Sequence, residues 1–212
     1  MPVTVTEVGT YDLDPAATTF VVTVSGIATG DLIVLMVGAA GSDVIASATD
    51  DAGSTWAVDQ TQSTSNNSTS IAYAIAAGAV TSITVTASVG VWSGVVASVA
   101  RIAAANVAAS PSDVSTAATA TGTAVDSGNT AALAQASEMC FGVLGCQGTP
   151  SVTLEGTWTG LTGGVTDSFA RTIKPGYKEV AATTAVAYQA TLGASRCGLR
   201  ASPRTSWRGP PL

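Results

Sequence analysis

The side chains that could do chemistry in this sequence are carboxylates, hydroxyls and three cysteines, because the chain has no histidine. Without histidine there is no Ser-His-Asp or Cys-His arrangement, and no imidazole to act as a general base near neutral pH. Three cysteines are also too few for the common four-ligand zinc sites. The sequence contains neither a Walker loop nor a dinucleotide-binding glycine motif. It therefore predicts no catalytic residues, no cofactor and no enzyme activity.

The adjacent acids Asp50 and Asp51 are the best candidates for a metal site, with Asp43 and Asp59 nearby in sequence. Carboxylate oxygens are ligands that Ca²⁺ prefers. Adjacent residues of a strand point to opposite faces, so both would reach one ion only in an irregular turn. The alternative interpretation is that these acids shape the turn before Trp56. A paired-carboxylate glycosidase would need acids in a cleft, and nothing in the sequence marks one.

Tryptophan and cysteine are the other candidates for binding or cross-linking. Trp56 and Trp92 flank predicted strands and are expected in the core, and the core is preferred for Trp158 as well. Trp158 is nevertheless the better candidate for a sugar-stacking surface, since its neighbours are Gly and Thr. On one strand, Cys140 and Cys146 would be about 20 Å apart, too far to form a disulfide with each other. Either could pair with Cys197 on a neighbouring strand, and buried thiols are the alternative.

Charge is divided unevenly along the chain. Residues 1–170 contain thirteen of the fourteen acidic residues and one basic residue, Arg101, which gives a net charge of −12. Residues 171–212 contain seven basic residues and one acidic residue, which gives +6. An acidic body repels phosphate, so nucleic acid is not expected as a partner. The asymmetry instead predicts a docking face or an interaction tail.

The last twelve residues, 201–212, include Pro203, Pro210 and Pro211, and a regular element is not expected at that density of proline. We therefore predict an extended basic C-terminal arm that follows a domain of residues 1–200. Arg and Trp are enriched among the residues that anchor protein interfaces. The predicted interface residues are Arg200, Arg204, Trp207 and Arg208. A chain end without fixed structure is the alternative interpretation.

No segment of the sequence predicts a signal peptide or a membrane span. Residues 1–4 have no basic region, and no apolar region follows them. The longest apolar run, residues 32–40, is too short for a bilayer, which needs about twenty residues. We expect synthesis in a cytoplasm and no membrane partner.

Short segments rich in β-branched residues recur about every ten residues, separated by Gly, Ser, Asn and Asp. Residues 83–87 alternate apolar and polar, as a strand with one buried face does. Residues 32–37 and 139–144 do not alternate, which indicates central strands covered on both faces. Residues 61–70 contain only Thr, Gln, Ser and Asn and are expected to form an exposed loop. This rhythm predicts an all-β protein, an antiparallel β-sandwich of jelly-roll type.

Two turns have similar sequences, Asp50-Asp51-Ala52-Gly53-Ser54-Thr55 and Asp126-Ser127-Gly128-Asn129-Thr130. Asp, Gly, Asn and Ser dominate turns in all proteins. The match therefore does not predict an internal repeat.

Residues 18–145 resemble a diffuse group of phage and bacterial β-sandwich proteins. The resemblance lies in Gly30-Asp31-Leu32, which opens an apolar strand, in the turn Asp50–Trp56, and in Tyr73-Ala74. The turn of the group is Asp-x-x-Gly-Asn-Thr-Trp, and here Ser54 stands at the Asn position. Members look like virion surface components: capsid decoration proteins, minor capsid proteins, and tail or fibre domains. The resemblance implies no catalytic residues.

The expected function is therefore structural. Only 10% of residues are charged, far below the roughly 25% of ordinary soluble domains, and such a surface suits packing against neighbours. We expect a bacteriophage virion protein, made in the host cytoplasm, that decorates or reinforces the capsid. Its partners would be the major capsid protein or other virion subunits, and copies of itself, for which a trimer would fit local three-fold axes. The alternatives are a carbohydrate- or receptor-binding domain of a tail or fibre, and a cell-wall hydrolase.

Overall fold

The structure is a computed structural model that describes residues 3–13, 16–64, 66–166, 171–193 and 198–208. Within these ranges the chain forms seventeen β-strands and one 3₁₀ turn, Ala104–Asn106. The strand pairings of these residues are all antiparallel. The prediction of an all-β protein with antiparallel sheets is confirmed.

The first half of the chain contains eight strands in two sheets. They are β1 (Val5–Leu13), β2 (Thr19–Ile27), β3 (Leu32–Ala40), β4 (Ile45–Asp50), β5 (Trp56–Ser63), β6 (Asn67–Ile75), β7 (Val80–Ala87) and β8 (Ser93–Ile102). The first large sheet has the order β1-β8-β3-β6-β5, and the first small sheet has the order β2-β7-β4. Successive strands therefore alternate between the two sheets everywhere except at the β5–β6 hairpin.

The second half contains nine strands, also in two sheets. They are β9 (Ala118–Thr121), β10 (Ala124–Asp126), β11 (Glu138–Gln147), β12 (Val152–Leu154), β13 (Thr159–Gly160), β14 (Gly164–Thr166), β15 (Arg171–Val180), β16 (Gln189–Leu192) and β17 (Gly198–Arg208). The second large sheet has the order β13-β15-β11-β17-β9, with β14 also paired to β15. The second small sheet has the order β10-β16-β12.

The second half repeats the strand order of the first. Strands β9 to β12 take the places of β1 to β4, the short β13 and β14 together take the place of β5, and β15 to β17 take the places of β6 to β8. With this correspondence the two large sheets have the same order, and so do the two small sheets. The chain is therefore built from two copies of one architecture.

Local backbone geometry is repeated at the ends of the central strands β3 and β11. Gly30 precedes β3 with a φ of 84°, and Ser137 precedes β11 with a φ of 65°. Asp31 and Glu138 come next, and each carboxylate accepts a hydrogen bond from the backbone N–H three residues earlier. Both strands are followed by a glycine with a φ of 84°, Gly41 and Gly148. All three pairs share one sequence offset, which supports the correspondence between the halves.

The four sheets stack in layers with three apolar cores between them. The first core, which includes Phe20, Leu35 and Trp92, lies between the first small and first large sheets. The central core lies between the two large sheets and includes Val34, Phe141 and Ile173. The third core lies between the second large and second small sheets and includes Cys140, Cys146, Trp158 and Tyr188. Cys197 lies outside the described residues, so its pairing stays a prediction.

This layering explains the two strands without alternation. On β3, Ile33 and Leu35 face the first core, whereas Leu32, Val34 and Met36 face the central core. All nine residues of β3 are buried. Strand β11 is likewise shared between the central and third cores. The prediction that both segments are central strands covered on both faces is confirmed.

The two large sheets pack reciprocally against each other. A Cβ on Gly38 would lie 2.1 Å from Ile173 Cδ1, so the absence of a side chain lets the sheets approach. A Cβ on Gly145 would lie 2.7 Å from Thr69 Cγ2. Gly145 corresponds to Gly38, and Ile173 corresponds to Thr69, by strand register. Contacts exchanged in this way between equivalent positions are the signature of a two-fold interface, here within one chain.

The expectation of an exposed loop at residues 61–70 is wrong. Strand β5 continues to Ser63, and β6 begins at Asn67. Residues 67–70 are buried, because the second large sheet covers one face of β6 and the start of β4 covers the other. A polar segment is tolerated there partly because Ser70 Oγ accepts a hydrogen bond from the backbone N–H of Ile45 at 3.1 Å.

The C-terminal segment also differs from the prediction that proline prevents a regular element. Strand β17 pairs with β11 from residue 200 to residue 208, so residues 201–208 belong to the second large sheet. The register shifts between Phe141 and Val143, where Pro203 falls. A bulge is one of the few places where proline fits a sheet, since the residue there need not donate a ladder hydrogen bond. A domain boundary at residue 200 stays a prediction, and residues 209–212 lie outside the described residues.

Candidate interaction surface

Asp50 holds the β4–β5 turn together. Its Oδ1 accepts hydrogen bonds from the backbone N–H groups of Ala52 and Ser54, both at 3.0 Å. Its Oδ2 accepts one from the indole N–H of Trp56 at 2.8 Å. Burial raises the pKa of Asp50, but the hydrogen bonds from Ser54, Trp56 and Ala52 together outweigh it, so the pKa is lowered overall. Asp50 therefore acts as the clamp of a turn.

Asp51 accepts hydrogen bonds from a different set of residues. Its carboxylate accepts hydrogen bonds from the hydroxyl and backbone N–H of Thr81 and from the backbone N–H of Ser82. The Thr81 hydrogen bonds are the main reason that the pKa of Asp51 lies below its usual value. In the second half, Glu155 occupies the equivalent place and accepts a hydrogen bond from the hydroxyl of Thr191. Each half thus ties its turn to the middle strand of its small sheet.

These contacts favour the turn-shaping interpretation of Asp50 and Asp51. The two carboxylates point into separate hydrogen-bond networks. Among the residues that the structure describes, no group of three or more Asp, Glu, Cys or His side chains is arranged to hold a metal ion. Calcium binding stays a hypothesis without a supporting observation.

Other carboxylates also clamp backbone N–H groups. Asp43 accepts from Val89 and Gly90 in the β7–β8 loop. Asp113 accepts from Ala134, and Glu7 accepts from Thr162, which joins the two halves. Among the described residues, one ion pair is present, Arg101–Asp31 at 2.9 Å. These described acids therefore find backbone and hydroxyl donors in a chain with few cations.

Neither Trp92 nor Trp158 forms part of a sugar-stacking surface. Trp92 is fully buried, and Trp158 is 8% exposed, packed edge-on against Tyr188 with ring centroids 4.6 Å apart. The preferred core assignment of both is confirmed. Trp56 is half-buried. The large apolar side chains that the structure describes as exposed are all valines: Val21, Val58, Val89 and Val91.

The outer face of the first small sheet carries hydroxyl side chains and no charged ones. The strand register brings eight side chains into rows across β2, β7 and β4, with Val21 next to Thr84 and Thr84 next to Thr49. Seven of the eight carry hydroxyls: Thr19, Thr23, Ser47, Thr49, Ser82, Thr84 and Thr86. We call these eight residues the hydroxyl face. Asp51 lies at its border, beside Ser82.

The corresponding outer face of the second small sheet is different. It carries Asp126, whose Oδ2 accepts a hydrogen bond from Gln189 at 2.7 Å, and Glu155 borders it beside Thr191. Thr153 of this sheet corresponds to Thr49 of the hydroxyl face. The two halves therefore share a framework but present outer surfaces of different charge.

No family model, curated protein or solved structure matches this chain. The described residues contain no helix long and apolar enough to cross a membrane.

The predicted interface at the C-terminus is only partly visible. The backbones of residues 200–208 belong to β17, whereas the side chains of Arg200, Arg204, Trp207 and Arg208 lie outside what the structure describes. The hydroxyl face was missed from the sequence, although the alternating hydroxyls of residues 82–86 were a signal for it. Alternation predicted which side of each strand was outward, but not which strands would lie side by side.

Proposed function

We propose that this chain is a structural bacteriophage virion protein that decorates or reinforces the capsid through surface contacts. The observation that carries the proposal is the hydroxyl face, an outward-facing sheet surface of eight residues, five exposed and three half-buried, without an ionisable group. Interface cores are depleted of charged residues, since burying an unpaired charge is costly. A neutral face can therefore pack against another subunit at a smaller desolvation cost than a charged one.

We further propose that each half is a jelly roll. The strand orders β1-β8-β3-β6 and β2-β7-β4 support this, because consecutive strands cross between two facing sheets and return beside earlier strands. Strand β5 pairs with β6 rather than β4, which leaves the small sheet with three strands. Jelly rolls are common in viral capsid proteins and lectins. The resemblance of residues 18–145 to virion surface proteins points in the same direction.

The proposed partners are the major capsid protein or other virion subunits, together with further copies of this chain. An acidic first part and a basic end favour attraction between copies. The described tryptophans give no support to the carbohydrate-binding alternative. Glycan binding is therefore one of the results that would contradict the proposal.

The test is quantitative mass spectrometry of phage particles purified from cells that carry the gene. We expect hundreds of copies per particle for a decoration protein and a few for a tail or fibre component. Particles that lack the chain, or a glycan-array signal without particle binding, would contradict the proposal.

The hydroxyl face is tested by two equivalent substitutions. Thr49→Lys places a charge on the hydroxyl face, and Thr153→Lys places the same charge at the corresponding position of the second small sheet. We expect Thr49→Lys to lower the copy number and Thr153→Lys to leave it close to wild type. Equal incorporation of both variants would show that the hydroxyl face is not the contact surface.

A further inference from the structure

A pocket of about 310 Å³ lies in the second half, between the start of β12 and strands β14 and β15. Pro150 and Val152 line one side, and Thr172 and Lys174 line the other. We call it the Lys174 pocket. It is open to solvent, and its volume is at the lower end of the range that binds small molecules.

The first half has a serine at the position of Lys174. Lys174 pairs with Leu144 on β11, as Ser70 pairs with Val37 on β3, so Ser70 and Lys174 occupy equivalent positions. Ser70 closes the first half, because its hydroxyl accepts a hydrogen bond from the backbone N–H of Ile45 at the start of β4. Lysine cannot accept that hydrogen bond, since a charged ammonium has donors only.

A similar hydrogen bond two residues before this position occurs in both halves, so the difference between them is confined to Lys174 and Ser70. Thr172 Oγ1 donates a hydrogen bond to the carbonyl of Gly148 at 2.9 Å. Its counterpart Ser68 donates to the carbonyl of Asp43, which lies in the corresponding β3–β4 connection, two residues beyond Gly41, the counterpart of Gly148. Both halves therefore tie this strand to the connection that follows the central strand, but the second half has a cation where the first half has the Ser70 hydroxyl.

The surrounding chain fits the lysine side chain closely. A Cβ on Gly160 would lie 3.0 Å from Lys174 Cε and 3.1 Å from its Nζ, and a Cβ on Gly163 would lie 3.2 Å from its Cδ. Lys174 Nζ donates a hydrogen bond to the carbonyl of Leu161 at 3.1 Å. These contacts hold the ammonium in place, and a lysine ammonium has three N–H donors. The other two have no acceptor among the described residues, and Lys174 is one of the residues that line the pocket.

The charge of Lys174 is not neutralised in the part of the chain that the structure describes. It forms no ion pair there, and it is the one charged residue among those that line the pocket. One carboxylate, Asp12, borders the pocket wall at Gly164, where a Cβ would lie 2.8 Å from Asp12 Oδ2 and 2.9 Å from Val96 Cγ1.

We propose that the Lys174 pocket binds a small molecule through a carboxylate or phosphate group. The ammonium supplies a charge-assisted hydrogen bond, which is roughly twice as strong as a neutral one. Pro150 and Val152 supply an apolar wall for the rest of the ligand. This site is independent of the virion proposal, since it lies away from the hydroxyl face.

The experiment is an NMR titration of the ¹⁵N-labelled full chain with inorganic phosphate and with succinate, each against sodium chloride at equal ionic strength. We expect saturable shifts of the amides of residues 151–152, 163–164 and 172–174 with at least one probe. Phosphate alone would identify a phosphate site, and succinate alone a carboxylate site.

Two variants separate the site from general charge attraction. Lys174→Ser introduces the residue of the first half and should weaken binding about ten-fold. Lys178→Ser removes the same charge from the same strand outside the pocket and should change affinity less than about two-fold. No saturable shift in the wild-type chain, or an equal loss in both variants, would overturn the proposal.

Discussion

Carboxylates in this chain act mainly as hydrogen-bond acceptors for the backbone. Asp50, Asp51 and Asp43 each hold a turn or loop through N–H donors that would otherwise need water. This accounts for the abundance of acids in a chain with eight basic residues. It also explains why adjacent acids in the β4–β5 turn do not imply a metal site, since each has its own protein donors.

Asp50→Asn should destabilise the protein by about 1–2 kcal/mol, because an amide NH₂ replaces one of two oxygens that accept hydrogen bonds. Asp126→Asn is the matched control, since its Oδ1 accepts from Gly128 in a turn that asparagine also forms. Its other oxygen accepts from the exposed Gln189 amide, which can turn over and accept a hydrogen bond from the new NH₂ group. We expect a loss near zero for that variant, measured by denaturant unfolding. Equal losses would mean that the Asp50 contacts are unimportant.

The stability difference between wild type and Asp50→Asn should depend on pH. The pKa of Asp50 is lowered in the folded chain, so its ionised form stabilises the fold above the unfolded pKa, near 3.8. That contribution disappears as pH falls through the lower, folded pKa. The difference in Tm between wild type and Asp50→Asn should therefore be full at pH 7 and shrink below about pH 4. A difference that stayed constant down to pH 2.5 would contradict this.

At the level of elements, β17 determines whether residues 201–208 form a free arm or part of a sheet. Strand β11 is the centre of the second large sheet and pairs with β15 on one side and β17 on the other. Proline in β17 falls at a bulge, so the segment can join the sheet despite its composition. A basic end that is part of the sheet cannot also reach freely to a neighbour.

A chain that ends at residue 200 should therefore be strongly destabilised, because the backbone groups of β11 lose their partners and become an open edge. A chain that ends at Arg208 removes no described strand and serves as the control. Thermal unfolding and size-exclusion chromatography would measure the effect, with a lower Tm and aggregation expected for the shorter chain alone. A wild-type Tm for both chains would support the free arm instead.

At the level of the whole molecule, the two halves are held together through their large sheets. Gly38 and Gly145 allow the close approach on either side of the internal two-fold relation. The central core includes residues of both halves, and Glu7 reaches from the first half to Thr162 of the second. We therefore expect the halves to unfold together.

Gly38→Ala should be destabilising by roughly 1–3 kcal/mol, because the new methyl group overlaps Ile173. Combining it with Ile173→Ala should cost less than the sum of the two single changes, which a double-mutant cycle would measure. Gly78→Ala is the control, since its Cβ would meet Ala52 at an ordinary 3.4 Å. Strict additivity of Gly38→Ala and Ile173→Ala would argue against direct contact of the large sheets.

Much of the first half could be predicted locally. The alternation of residues 83–87 and the apolar run of residues 32–37 identify β7 and β3, because each pattern reports how many faces are covered. The prediction of an exposed loop that included residues 67–70 was wrong because polar side chains normally indicate exposure to solvent. Their burial depends on β4 and the second large sheet, which are distant in sequence.

The internal repeat was missed because the wrong turns were compared. The Asp126 turn follows β10 and corresponds to the β2–β3 connection, not to the β4–β5 turn. The counterpart of the Asp50–Trp56 turn is Glu155-Gly156-Thr157-Trp158, which is shorter and has glutamate in place of aspartate. A shared tryptophan and glycine were the available signal.

The sequence by itself determined that the chain is all β, which strands have two covered faces, and that histidine-dependent chemistry is impossible. Each of these follows from residue type or from spacing along one strand, and such properties are local. Only the tertiary structure decided that two equal halves face each other, that hydroxyls from three strands form one neutral surface, and that Lys174 stands beside a pocket where Ser70 closes the other half. These depend on which strands become neighbours, and pairing between distant segments is set by the packing of the whole chain.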